Sequence, residues 1–263
     1  MSEHRARKRF GQNFLHDPGV IMRIVHAINP KAGESLVEIG PGQGALTWPL
    51  LEELGQLHAV ELDRNLIAML SEQASQYGEL VLHNADALKF DFSALSSGNP
   101  LRIVGNLPYN ISTPLLFHLL GQAECIGDMH FMLQKEVVER MAASPGDSNY
   151  GRLSIMLQYH CQVVPLFKVG AGAFKPQPKV ESAIVRLIPH PSPPVQVDNL
   201  EIFGQLVKVA FSHRRKTLRK AIRNLASKDA IEAAGIDSGL RPERLSIEDF
   251  ANLANTIQRS NRL

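Results

Sequence analysis

The chain has 263 residues, of which 44% are hydrophobic and 21% charged, and its formal net charge is +2. This composition supports a buried core and excludes a chain that is disordered along its whole length. No apolar run reaches the roughly 18 residues that span a bilayer. The charged residues 1–9 are not followed by an apolar stretch, so we expect no secretory signal and a cytoplasmic location. Two cysteines and ten scattered histidines predict neither a disulfide framework nor a metal site.

Short apolar runs alternate with amphipathic stretches through the first half of the chain. This alternation indicates strands connected by helices, and therefore an α/β fold with a doubly wound, mostly parallel sheet. The predicted strands span residues 35–39, 57–62, 80–83, 101–105 and 129–133, and the predicted helices span 46–54, 65–76 and 113–120. Residues 159–169 and 182–188 follow without a long helix between them, which predicts an antiparallel hairpin at the edge of the sheet.

A proline-rich connector divides the chain. Four prolines fall between residues 189 and 194, a density typical of a stiff extended linker. Before it we expect the α/β domain, residues 1–188, whose first 15 residues form a basic arm. After it no strand pattern occurs, and we expect a small all-helical domain over residues 195–263.

Apolar spacing predicts four helices in this C-terminal domain. A capping pair, Asp198 with Glu201, opens the first helix, and Ser246 with Asp249 opens the fourth. The second and third helices are predicted over residues 218–225 and up to Gly235.

Glycines follow the first predicted strand, in the motif E-I-G-P-G-Q-G at residues 38–44. A strand, a glycine turn and a helix in this order let the backbone approach a ligand closely. The spacing differs from the dinucleotide fingerprint, and no G-K-[ST] motif occurs, which excludes a P-loop. We expect a nucleotide-like ligand; a purely structural tight turn is the alternative for this motif alone.

Acidic side chains end the next two predicted strands. Glu61 can accept hydrogen bonds from both hydroxyls of a ribose, and Asp86 can accept one from an adenine amine. Because the carboxyl ends of parallel strands meet at one edge of a sheet, Gly40, Glu61 and Asp86 together predict an adenosine-binding site. For Glu61 alone, a surface acid at a strand end is the alternative.

The sequence G-N-L-P-Y, residues 105–109, ends the fourth predicted strand. The exocyclic amine of a base is a poor nucleophile because its lone pair is delocalised into the ring. The Asn106 carbonyl and a backbone carbonyl beside Pro108, held by its fixed φ, can accept the amine N–H groups and free that lone pair. Tyr109 can stack on the base. The motif predicts alkylation of an aromatic amine; an ordinary turn is the alternative.

Basic residues cluster at both ends of the chain. Residues 190–263 carry 12 Lys and Arg against 8 Asp and Glu, and only basic charges occur from 214 to 223. On the predicted helix Arg215, Arg219 and Arg223 would form one stripe, which favours a polyanionic partner over a solvated face. The expected RNA-binding residues are Arg5, Arg7, Lys8, Arg9, Arg214, Arg215, Lys216, Arg219, Lys220 and Arg223. A disordered tail is the alternative for the first four.

Taken in chain order, these motifs resemble the class I S-adenosylmethionine-dependent methyltransferases of the adenine amino group. Further motifs make the chain similar to the ribosomal RNA adenine dimethyltransferase family, in its bacterial small-subunit (16S), kasugamycin-resistance branch. These motifs are R-F-G-Q-N-F-L (9–15), F-K-P-Q-P-K-V-E-S (174–182), F-S-H-R-R-K-T-L-R (211–219) and R-P-E-R-L (241–245). Leu107 is the dimethyltransferase pattern, where DNA adenine methyltransferases have proline.

The resemblance implies a Rossmann-like fold with a seven-stranded sheet, one strand antiparallel, and a helical C-terminal domain. It implies S-adenosylmethionine as cofactor, bound by Asn13, Leu15, Gly40, Gly42, Glu61, Asp86 and Asn106. The catalytic residues that it implies are Asn106, Leu107, Pro108, Tyr109 and Phe174. Phe174 would cover the target base opposite Tyr109; a core aromatic is the alternative.

The implied substrate is a pair of adjacent adenosines in one hairpin loop of 16S rRNA, each dimethylated at N6. The implied partner is an immature small ribosomal subunit, without a membrane or DNA partner, and we expect a monomer. The alternative is a ribosome-assembly factor whose binding to the particle, and not methylation, is the main role.

Overall fold

The computed structural model describes residues 13–96, 98–213 and 215–260. Its strands span Phe14–Leu15 (β1), Leu36–Ile39 (β2), Gln56–Glu61 (β3), Glu79–Asn84 (β4), Leu101–Asn106 (β5), Ile126–Gln134 (β6), Cys161–Val169 (β7), Phe174–Lys175 (β8) and Ser182–Pro189 (β9). Its helices span Pro18–Ile28 (α1), Thr47–Leu54 (α2), Arg64–Ala74 (α3), Ser112–Leu120 (α4), Lys135–Ala142 (α5), Arg152–His160 (α6), Leu200–Ala210 (α7), Leu218–Ala221 (α8), Lys228–Ala233 (α9) and Ile247–Ser260 (α10). Within this part of the chain, no helix is both long and apolar enough to cross a bilayer.

The main sheet has seven strands in the order β4-β3-β2-β5-β6-β9-β7, and a separate two-stranded sheet pairs β1 with β8. From β4 to β6 neighbouring strands are parallel, and β9 is antiparallel to β6. The predicted doubly wound, mostly parallel sheet is therefore confirmed. Strand order reverses between β2 and β5, which is the place where open α/β sheets bind their ligands.

The central parallel strands are mostly apolar because helices cover both faces of such a sheet. All four residues of β2 are buried. On one face, α1 contributes Ile24 and Ile28, and α2 contributes Leu50 and Leu51, to a single apolar cluster. This packing fixes the strands, and with them the loops at their carboxyl ends.

The chain divides into two compact units. The first comprises the described part of Met1–Val138 with Val163–Pro189, and the second comprises Glu139–Gln162 with the described part of His190–Leu263. The second unit thus holds α6, which lies outside the predicted helical domain over residues 195–263. The physical reason is burial: Ile155 and Tyr159 of α6 lie in the same apolar cluster as α7 and α10.

Local boundaries in the second unit differ from the sequence prediction at two places. Asn199, not Asp198, caps α7, because its side chain accepts the backbone N–H groups of Glu201 and Ile202 at 2.9 and 3.1 Å. The predicted helix over 218–225 is a single turn, α8, which ends at its cap residue Ile222 (φ −106°, ψ 17°). The Leu225 N–H then donates to the Ile222 carbonyl at 2.7 Å in a turn.

The predicted cap of the last helix is confirmed. The Asp249 N–H donates to Ser246 Oγ at 3.1 Å, and the Ser246 N–H donates to Asp249 Oδ2 at 2.8 Å.

Of the two late strands, β9 begins at Ser182 as predicted, and β7 begins two residues later than predicted. Tyr159 and His160 end α6, so that β7 starts at Cys161. The two-residue strands β1 and β8 were not predicted.

Candidate active site

A cavity of about 320 Å³ opens at the carboxyl ends of β2, β3 and β5 and beside the loop after β4. The predicted cofactor-binding and catalytic residues that line it are Asn13, Leu15, Gly40, Gly42, Glu61, Asp86, Asn106, Leu107, Pro108 and Tyr109. The structure therefore brings together side chains that are almost 100 positions apart in the sequence.

The glycine turn after β2 forms the floor of this cavity and depends on a left-handed backbone. Gly40 and Gly42 have φ of 69° and 58°, a region that residues with a Cβ atom rarely adopt. A Cβ atom on Gly42 would also lie 3.2 Å from Cδ1 of Phe14 in β1. The turn thus keeps its backbone open toward the cavity while Phe14, which was not predicted as a site residue, packs against it.

The two predicted adenosine-binding acids are held by backbone N–H groups. Glu61 Oε1 accepts hydrogen bonds from the N–H groups of Leu62 and Asp63, both at 2.8 Å. Burial raises the pKa of Glu61 against the opposing effect of these hydrogen bonds. Asp86 Oδ1 accepts the Leu88 N–H at 3.0 Å. Both carboxylates are oriented by their own loops before any ligand binds.

Glu38 is a further cavity residue to which the sequence analysis gave no role. It is 1% exposed, and Thr47 Oγ1 donates a hydrogen bond of 2.7 Å to its Oε2. Burial, with a smaller contribution from the charge of Glu61, raises the pKa of Glu38 to about 7. The available signal was an acid in the middle of the apolar strand L-V-E-I, since buried acids are rare without a role.

The loop after β5 presents the Asn106 carbonyl to the cavity. Asn106 Nδ2 donates to the backbone oxygen of Asn13 at 3.2 Å. Because this bond uses the amide nitrogen, Oδ1 is left as the acceptor. The Leu107 N–H donates to the Met132 carbonyl of β6 at 3.2 Å, which ties the loop to the sheet.

Tyr109 and Phe174 differ in where the structure places them. Tyr109 is half-buried at the cavity wall, and its hydroxyl lies 2.8 Å from Ser182 Oγ. Phe174 is 3% exposed and packs in the apolar core with Leu15 and Ile184. The pairing of Leu15 with Phe174 between β1 and β8 holds it there. The structure does not bring Phe174 to the cavity wall, and its place opposite Tyr109 stays a prediction.

The basic residues of the second unit do not form a helical stripe, which corrects the prediction. Arg215 precedes the extended Thr217, Arg219 lies on the single turn of α8, and Arg223 follows it. The remaining predicted residues Arg5, Arg7, Lys8, Arg9 and Arg214 lie outside the described residues.

The side chains on and after α8 nevertheless share one concave surface. Arg219, Lys220, Arg223 and Lys228 line a cavity of about 600 Å³. Within the described part of the chain, the first three form no ion pair, and Lys228 pairs with the exposed Glu232 at 3.2 Å.

The oriented carboxylates of Glu61 and Asp86 fit the adenosine part of a methyl donor. Asn106 lies in the same cavity and can accept an N–H group of the amine that receives the methyl group. A doubly wound sheet with such a site defines the chain as an S-adenosylmethionine-dependent methyltransferase. More narrowly, the chain belongs to the ribosomal RNA adenine dimethylase family, whose model matches residues 3–259.

Individual relatives agree with this assignment. The chain is 58% identical over 260 residues to "Ribosomal RNA small subunit methyltransferase A" of Marinobacter nauticus, covering 99% of this chain and 94% of that protein. It is 58% identical over 256 residues to the protein of the same name from Pseudomonas fluorescens, covering 97% and 94%. A crystal structure of a dimethyladenosine transferase from Plasmodium falciparum superposes with a TM-score of 0.81 at 28% identity, over 94% of this chain and 98% of that chain. These names do not support the alternative of an assembly factor that acts mainly by binding.

Proposed function

We propose that this methyltransferase dimethylates the N6 amines of two adjacent adenosines in a hairpin loop of 16S rRNA. The observation that carries the proposal is the Asn106 amide, whose nitrogen is engaged by Asn13 so that its oxygen can accept an adenine N–H. The names of the relatives from Marinobacter nauticus and Pseudomonas fluorescens support the small-subunit RNA as the substrate.

The cofactor-binding part of the site follows from the oriented acids. Glu61 would hold the ribose hydroxyls, Asp86 the adenine amine, and the turn at Gly40 and Gly42 the methionine portion. When bound, S-adenosylmethionine supplies an electrophilic methyl group on a sulfonium. A charged Glu38 at the cavity would favour a cationic ligand, because their attraction is weakly screened where water is excluded.

The target amine would be oriented by two carbonyl oxygens. Asn106 Oδ1 is one of them. The Pro108 carbonyl already accepts the Ile111 N–H at 3.2 Å, which favours the Leu107 carbonyl as the second. With both N–H groups held, the nitrogen can present its lone pair, so the contribution of these residues is alignment. The amine can release its proton after the new N–C bond forms, and no residue needs to act as a general base.

The adenine has to leave its stack to reach this recessed loop, as bases do in other enzymes that modify them. Tyr109 at the cavity wall would stack on the extruded base, a contact of about 1–3 kcal/mol. Phe174 could cover the opposite face only by leaving the core in which it packs.

The second unit would bind the phosphate backbone. Arg215, Lys216, Arg219, Lys220 and Arg223 are exposed, and phosphate contacts position an RNA without reading its sequence. The concave surface at α8 suits a folded backbone better than the straight stripe that the sequence predicted. We further propose that the enzyme acts as a cytoplasmic monomer on an immature small subunit, which would expose the hairpin loop.

The test is methyl transfer from labelled cofactor to undermethylated small subunits, with mature subunits and duplex DNA as comparisons. Digestion of the RNA should yield N6,N6-dimethyladenosine from two adjacent positions. Asn106→Ala should lose most turnover, by about a hundredfold or more if both amine contacts depend on it, while cofactor affinity measured by calorimetry changes little. Methylation of another nucleotide, or full turnover by Asn106→Ala, would refute the proposal.

A further inference from the structure

Ser182 ends the motif at residues 174–182 and has so far been given no role, yet it contacts Tyr109 in the loop after β5. Its Oγ lies 2.8 Å from the Tyr109 hydroxyl oxygen, and either group can be the donor. Ser182 is 0% exposed, so its hydroxyl has no access to water in place of this bond. A buried hydroxyl without a partner is unfavourable, which makes the two side chains depend on each other.

The two partners differ in how firmly the fold holds them. Ser182 is the first residue of β9, and it pairs with Gln134 in the antiparallel register of β6 and β9. The preceding peptide is also fixed, since the Glu181 carbonyl accepts the Lys135 N–H at 2.9 Å. Tyr109, by contrast, lies in the turn between β5 and α4, outside regular structure. Through Ser182 the sheet can therefore position the Tyr109 ring. The loop alone would leave the hydroxyl end of that ring free to move.

We propose that Ser182 is a positioning residue that holds the Tyr109 ring at the angle at which it stacks on the target adenine. The proposal rests on the proposed function, in which Tyr109 contacts the extruded base. Stacking by itself needs only the ring, so that Tyr109→Phe would be nearly silent if the hydroxyl had no partner. With Ser182 as its anchor, the hydroxyl contributes to turnover without touching the substrate.

A double-mutant cycle tests this directly. Ser182→Ala, Tyr109→Phe and the double variant are compared with wild type for kcat and KM on undermethylated small subunits, and for cofactor Kd by calorimetry. Each single variant should lower kcat about tenfold, which corresponds to about 1.4 kcal/mol. The double variant should be no slower than either single one, because all three lack the same bond. Cofactor Kd should stay unchanged throughout.

A matched control separates positioning from general loss of stability. Ser154 is also 0% exposed, and its hydroxyl donates to the Arg140 carbonyl within the second unit. Ser154→Ala should lower the melting temperature as Ser182→Ala does, but it should leave kcat unchanged. If the double variant lowers kcat by the product of the two single reductions, the two residues act independently and the proposal is overturned.

Adding Tyr109→Ala to the same assay distinguishes this proposal from the proposed function. If Tyr109→Ala abolishes turnover while Tyr109→Phe and Ser182→Ala are fully active, stacking stands and the Ser182 role falls. If Tyr109→Ala is fully active, the contact between Tyr109 and the base falls, and the Ser182 role with it. Should Ser182→Ala fail to fold, Tyr109→Phe removes the bond from the loop side, and a wild-type kcat there overturns the proposal.

Discussion

Glu38 is a buried carboxyl whose ionisation the fold opposes, and Glu38→Gln should therefore stabilise the protein at alkaline pH. Glutamine keeps the shape of the side chain and its bond with Thr47, since its amide oxygen can accept the same hydroxyl proton. It removes only the group that must become charged. The sign of the effect follows from the pKa of Glu38, which burial raises from its ordinary value of 4.5 to about 7 in the folded chain.

Between these two pKa values the folded chain binds more protons than the unfolded chain, so Glu38 makes stability fall as pH rises. A difference of one pKa unit corresponds to about 1.4 kcal/mol, and the full penalty above pH 7 is therefore about 3 kcal/mol. Near pH 5 less than about 1 kcal/mol of this penalty is present. The variant should therefore exceed the wild-type free energy of unfolding by less than about 1 kcal/mol near pH 5 and by about 3 kcal/mol at pH 8.

The assay is urea unfolding followed by fluorescence at several pH values. Trp48 is the sole tryptophan of the chain and adjoins Thr47, so that its signal reports on the unit that holds Glu38. Glu52 is exposed on α2, the helix that contains Trp48, and Glu52→Gln controls for the loss of one negative charge. A Glu38→Gln difference that is equal at pH 5 and pH 8 would refute the reasoning.

At pH 8 the variant should also bind the cationic cofactor more weakly, which calorimetry would show.

Two further predictions concern the binding surfaces. Glu61→Ala removes one or two charge-assisted hydrogen bonds of about 1.5–3 kcal/mol each, so cofactor affinity should fall about tenfold or more; unchanged binding in calorimetry would contradict the ribose assignment. Replacing Arg215, Arg219 and Arg223 by Gln should weaken binding to the ribosomal particle and reduce its salt slope by at most about 3. Cofactor affinity should not move, and an unaltered salt slope would mean that these arginines are only solvated.

The cavity could be predicted from the sequence because its position depends on strand order more than on packing detail. Glu61, Asp86 and Asn106 each follow an apolar run, and parallel strands bring such positions to one edge. The cap formed by Ser246 and Asp249 was predictable for a different reason: both partners lie within one helical turn, so local spacing decides it.

Features that depend on distant contacts could not be predicted in the same way. Strands β1 and β8 have two residues each, too few for a period-two pattern. Their pairing turns Phe174 into the core, whereas the motif alone placed it at the substrate. For α8 the apolar spacing fits a longer helix, but the helix ends at Ile222, and the Leu225 N–H donates to the Ile222 carbonyl at 2.7 Å in a turn. Leu218 and Ile222 are both fully buried in the apolar cluster of the second unit, and such packing overrides the local helix preference.

Strand β6 carries no predicted catalytic side chain, yet it sets the geometry of the site. Its Met132 pairs with Asn106 of β5 and accepts the Leu107 N–H, and its Gln134 pairs with Ser182 of β9. The pairing of β6 with β5 and with β9 thus fixes the distance between Asn106 and Ser182. A slip of one residue between β6 and β9 would turn Ser182 to the opposite face of the sheet and remove the anchor. Strand β6 therefore acts on the chemistry through the pairing of its backbone, which explains why its sequence predicted only a buried strand.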